Sequence, residues 1–128
     1  MAAESENPDT LLYKLTFYVP QSHTQTCLDA LWSTGAGRWP NGPRASACEP
    51  PKYTDVAFIS PGMGQFKVSA HATPHIGTPG NGEAEHVSED RVEMVIVGTA
   101  TAKSAVAKLR EVHPYEVVAL FVVQCEDF

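Results

Sequence analysis

The residues best suited to chemistry lie in the last third of the chain. His113-Pro114-Tyr115-Glu116 sets an imidazole, a phenol and a carboxylate side by side, and Arg91-Val92-Glu93 supplies a second carboxylate upstream. Imidazole and carboxylate together can hold a divalent ion, exchange protons as general acid and base, or hydrogen-bond a small polar ligand. His113 also has a plainer use. At a helix end it satisfies free carbonyls, and its charged form is favoured by the negative end of the helix dipole. That explains His-Pro and leaves Tyr115 and Glu116 without a reason.

Further candidates are weaker. His71 and His75 have the spacing that would put both on one helix face, but Pro74 opposes a helix there. In a loop they can still meet His86, Glu83 and Glu85, a donor set that suits zinc and similar ions, although surface histidines in a loop are the commoner outcome. Gly35-Ala36-Gly37-Arg38 can offer backbone N–H groups and a guanidinium to an anion. It follows a helix rather than opening one and lacks the Lys and Ser/Thr of a phosphate-binding loop, so a turn with a structural Arg is the alternative. Cys48 and Cys125 have no activating neighbour in sequence, and no Ser–His–Asp set can be assigned.

The elements that must position these residues follow from periodicity. Tyr13, Leu15, Phe17 and Val19 alternate with polar positions over 11–19, which predicts a half-buried strand ended by Pro20. Ser22 and Gln25 have the spacing of a capping box for a helix bearing Cys27, Leu28, Leu31 and Trp32 on one side, closed at Gly35. A hairpin is predicted next, with Val56–Ile59 and Phe66–Val68 flanking a Pro61-Gly62-Met63-Gly64 turn. Val92, Met94 and Ile96 mark another strand. Thr101 caps a second helix with the stripe Ala105, Val106, Leu109 and Val112, which Pro114 stops. The last strand, Val117 to Val123, is apolar on both faces.

Strand, helix, hairpin, strand, helix, strand predicts an α+β fold: a ferredoxin-like sandwich with one antiparallel sheet and two helices on one face. The expected organisation is a disordered lead over 1–10 and a single domain over 11–128, with long loops at 36–52 and 71–90. An apolar final strand at a sheet edge is an aggregation hazard unless covered, so a homo-oligomer is expected.

Composition narrows the function classes. A chain of 128 residues with 43% hydrophobic content can build one core without disulfides or metal. Its three cysteines are odd in number with no CxxC spacing, which reads as reduced and intracellular. The opening residues lack a signal or transit pattern and no apolar run reaches a membrane span, so a cytoplasmic protein with no membrane partner is expected. A net charge of −6 argues against nucleic acid as a partner. The basic groups Arg38 with Arg44, and Lys103, Lys108 and Arg110, read as local features, the second group as a solvated helix face.

Read as a set, several segments resemble a known family. They are Gly35-Ala36-Gly37-Arg38, Tyr53 with Phe58, Pro61-Gly62-Met63-Gly64-Gln65-Phe66, Pro74-His75-Ile76-Gly77, Glu85, Glu89, Arg91-Val92-Glu93 and His113-Pro114-Tyr115-Glu116. In this order, over roughly 13–123, they resemble the YqfO-type domain inserted in Nif-three-like dinuclear-metal proteins, which is also found alone. That domain is similar in fold to the CutA and PII groups, which commonly assemble as trimers, so the resemblance implies a CutA/PII-like fold and favours a homotrimer. The chain departs from the family in a longer 39–52 segment, in Val56 where a Cys is usual, and in Val117 where a second Glu is usual. The flanking metal-binding half-domains are missing from this sequence, so their hydrolase activity is not carried over.

The functional expectation is a non-enzymatic, oligomeric CutA/PII-like binding module for a metal ion or small anionic metabolite. Its ligand-binding residues are expected to be Arg38, Glu93, His113, Tyr115 and Glu116, with His75, His113 and Glu116 as metal ligands and the loop at 77–82 as a lid. The sequence does not specify a cofactor, a divalent metal being the candidate. Two alternatives stay open: a metal-assisted hydrolase with Glu93 or Glu116 as general base beside His113, and a structural interaction protein.

Overall fold

A computed structural model of the chain describes residues 7–42 and 48–128. The first six residues of the expected 1–10 lead, and 43–47 of the 36–52 loop with Arg44, lie outside the described residues.

Strand β1 spans Leu12–Pro20, and a short 3-10 turn, Gln21–His23, leads into helix α1, Thr24–Ser33. Strands β2 (Phe58–Lys67) and β3 (Ala84–Val97), helix α2 (Thr99–Val112) and strand β4 (Leu120–Cys125) follow. The sheet has the order β2-β3-β1-β4 and every pairing is antiparallel. This is the α+β, ferredoxin-like arrangement expected from the element order.

Register decides which side of the sheet each residue serves, because directly opposed residues share a face. Leu15 pairs with Met94 and Phe17 with Val92; all four are buried with Val19 and Ile96 in the core. Helix α1 closes over them with Cys27, Leu28 and Leu31, and α2 with Ala102, Ala105 and Leu109. Thr16 opposes Glu93 on one side and Phe121 on the other, and Lys14 opposes Val123, so these lie on the face without helices. Phe58, Phe121 and Val123 are more than half exposed there.

The structure corrects four local expectations. Pro61-Gly62-Met63-Gly64 is not a turn: β2 runs straight through it, Pro61 opposing Asp90 and Gly64 opposing Val87. Proline is tolerated because β2 is an edge strand, where a missing N–H need not break the ladder. The hairpin loop is instead 68–83. The capping box does not form: Ser22 Oγ bonds His23 Nδ1 at 2.8 Å and Gln25 Nε2 donates to Asp29 at 2.9 Å. The helix is entered through the 3-10 turn, with Thr24 Oγ1 donating to Asp90 at 2.7 Å. Helix α2 begins at Thr99 rather than Thr101, its first N–H donating to the Pro8 carbonyl at 2.8 Å. Last, β4 begins at Leu120 rather than Val117, so 113–119 are free to build the site.

Candidate functional site

The site forms where α2 ends. His113 precedes a proline and therefore leaves the helix in an extended conformation, φ −69° and ψ 138°. Its side chain turns inward and is buried. The Tyr115 N–H donates to His113 Nδ1 at 3.1 Å, so the ring proton sits on Nε2 and is donated to the Tyr18 carbonyl at 2.7 Å. His113 thus ties the end of α2 to the end of β1 with both nitrogens used. Burial holds its pKa below the ordinary imidazole value, against the opposing pull of the Tyr18 bond and the Glu89 charge.

Tyr115 then crosses to β3, where its hydroxyl donates to Glu89 Oε2 at 2.9 Å. Burial, and after it the Glu89 bond and charge, push the phenol well above its usual range. Its ring stacks edge-on with Phe66 at 5.8 Å and lies 5.0 Å from His113. Gly64 makes room for this pair: a Cβ there would collide with Glu89 Oε1. Next in sequence, Glu116 Oε1 accepts from the Thr73 N–H at 2.8 Å and fastens the 71–76 segment to the turn. His75 comes to 5.5 Å from His23 and 6.3 Å from Tyr115.

Between these parts opens a cleft of about 500 Å³. Phe66, Val68, Ile76 and Val117 supply apolar wall, and His75, Glu89, Tyr115 and Glu116 supply polar groups.

Of the expected site residues, the structure brings together His75, His113, Tyr115 and Glu116. Glu93 lies four residues along β3 from Glu89 and is held by Lys14 at 2.8 Å, with Arg91 at 3.7 Å. The Lys14 hydrogen bond lowers its carboxyl pKa. Arg38 follows Gly37, whose N–H donates to the Val95 carbonyl; Val95 is six steps along β3 from Glu89, about 20 Å. His86 bonds Gln65 at 3.0 Å and does not join His75. Among the described residues no three His, Cys, Asp or Glu side chains are grouped to hold a metal ion. Of the donors expected for a metal, His113 has no free nitrogen, and Glu116 gives one oxygen to the Thr73 N–H. Glu89, Gly64 and Phe66 were not expected in the site. Strand parity carried part of the signal, since Glu89, Arg91 and Glu93 must share a face.

The fold defines the class: the chain has the CutA/PII-like fold, shared with CutA and GlnK structures. The CutA1 divalent ion tolerance protein of Ehrlichia chaffeensis superposes with a TM-score of 0.61 at 11% identity, over 93% of this chain and 85% of that one. A Bacillus cereus protein related to NIF3 superposes with a TM-score of 0.66 at 26% identity, over 91% of this chain and 26% of that one. In sequence, the chain is 35% identical over 105 residues to a GTP cyclohydrolase 1 type 2 homolog of Halalkalibacterium halodurans, covering 82% of this chain and 24% of that protein. In sequence and fold the chain is similar to part of these Nif-three-like proteins, and it spans about a quarter of the length of the curated relatives it matches. No family model matches it.

Proposed function

We propose that this domain is a non-enzymatic binding module that holds a small molecule in the cleft between Phe66, the 71–76 segment and the 113–117 turn, and that works as a homo-oligomer, a trimer being favoured. The observation that carries this reading is the cleft itself: mostly apolar wall with a few fixed polar groups, the usual make-up of a small-ligand site. The groups are fixed before any ligand arrives. Tyr115 is held by Glu89 and by its own N–H to His113, and Glu116 by Thr73. Preformed polar groups lose little freedom on binding.

The helix-free face of the sheet supports the oligomer. Phe58, Phe121 and Val123 are exposed on it, and among the described residues β4 is an edge strand of the sheet. A second chain covering them would remove both liabilities. The hydrolase alternative gains less from the geometry, because Glu93 is paired with Lys14 and His113 is committed to two backbone groups. The relatives' cyclohydrolase name belongs to proteins more than three times as long.

The test is a melting-temperature survey of metabolites, including GTP and divalent cations, with wild type and Tyr115→Ala in parallel. A true ligand at a hundred times its Kd adds about 2.7 kcal/mol of stability by mass action. The expected result is a gain from one compound class that Tyr115→Ala abolishes, with no product formed. A gain that survives Tyr115→Ala, or turnover of the compound, refutes the reading.

A further inference from the structure

We infer that the cleft takes an organic cation: a protonated amine carried on an apolar or aromatic body. This rests on the reading of the cleft as a small-ligand site and names the class of molecule it selects.

The balance of donors and acceptors around Tyr115 selects this class. Around Tyr115 the hydrogens are already spent, while His75, Gln65, Ser69 and Lys67 are the other lining residues that carry donors. The Tyr115 hydroxyl proton goes to Glu89, the Tyr115 N–H to His113, and the Thr73 N–H to Glu116. What remains there is acceptor capacity: carboxylate lone pairs of Glu89 and Glu116 and the lone pairs of the Tyr115 oxygen. An ammonium group brings three donors and no acceptor, the complement of that set. Charge points the same way. Lys67, exposed at the end of β2, is the one Lys or Arg among the described residues lining the cleft, against the two carboxylates. An anionic ligand would meet both carboxylates on a domain whose sequence carries −6. The remaining wall, with the ring pair Phe66–Tyr115, suits an apolar or aromatic body and can face a cation with its π surface.

The experiment uses three probes of one shape and different charge on the full chain: tryptamine (cation), tryptophol (neutral) and indole-3-acetate (anion). Backbone amide NMR titration reads where and how tightly each binds. Tryptamine is expected to shift the Phe66, Ile76 and Tyr115 amides with a Kd about three- to fivefold below that of tryptophol, the range an exposed charge pair supplies, with indole-3-acetate weakest. Glu116→Gln keeps an acceptor for Thr73 and should remove most of the gap by weakening tryptamine alone. If its spectrum shows the 71–76 segment released, Glu89→Gln decides in its place. Equal binding of tryptamine and tryptophol, or tighter binding of indole-3-acetate, overturns the cation class and leaves the cleft standing. Failure of every probe to shift the cleft amides overturns both the class and the small-ligand reading.

Discussion

Gly64→Ala isolates the packing that aims Glu89 at Tyr115. Gly64 is not among the positive-φ glycines, so alanine fits the backbone, and the smaller unfolded ensemble alone should add about 0.4–1 kcal/mol. The new Cβ, however, occupies the place of Glu89 Oε1, and the carboxylate must swing away. That breaks the Tyr115 hydroxyl bond at 2.9 Å. A hydrogen bond to a charged group contributes about 1.5–3 kcal/mol; for a partly buried Glu89 about 1–1.5 kcal/mol is the fair share. Compared alone, the two effects nearly cancel, so a single variant would mislead. A double-mutant cycle separates them. Gly64→Ala, Tyr115→Phe and the double variant, unfolded in urea, should show a coupling of about 1–1.5 kcal/mol, because Gly64→Ala has no bond left to break once the hydroxyl is gone. In melting temperature that is about 3–6 °C for a domain of this size. Additivity within about 0.3 kcal/mol would refute the claim that Gly64 acts by placing Glu89.

His113→Ala removes both backbone ties and strands the Tyr18 carbonyl, and should cost about 2–4 kcal/mol in urea unfolding. His113 also gives a signed pH effect. Its folded pKa lies below the ordinary value of 6.5, so the unfolded chain binds the extra proton first: stability is full above pH 6.5 and falls as pH drops from there toward the folded pKa. His113→Gln should flatten that part of the stability curve, and an unchanged slope would count against a neutral buried ring. Burial pushes the Cys27 thiol up to about 11, so iodoacetamide at pH 8 should modify exposed Cys48 and spare Cys27 until the protein is unfolded. Phe121→Glu, on the helix-free face, should dissociate the proposed oligomer in sedimentation velocity with the far-UV spectrum kept.

Much of the fold was legible because burial on one face imposes a period. Leu15, Phe17 and Val19 alternate along β1, and Cys27, Leu28 and Leu31 recur at helical spacing; both patterns are core in the structure. Local chemistry misled where an element's place in the sheet mattered more. Pro61 and two glycines read as a turn, yet on an edge strand they can stay extended. The site was half legible for the same reason. His113, Tyr115 and Glu116 are neighbours in the chain, so their grouping could be read directly. Glu89 could not, because its tie to Tyr115 spans 26 residues and depends on the β2–β3 register and on Gly64. Nor does sequence show that His113 is answered by a main-chain carbonyl, which turns a potential ligand into a structural tie.

The central claim is that the Tyr115–Glu89 cleft is a small-molecule site in an assembled protein. The most direct test is native mass spectrometry of tag-free protein, purified without added metal or chelator, alongside Tyr115→Ala. The account predicts an oligomer, a trimer first, whose wild-type form carries a non-covalent organic mass that the variant lacks at the same subunit count. A bare monomer in both samples, or a retained mass that Tyr115→Ala leaves in place, would contradict it.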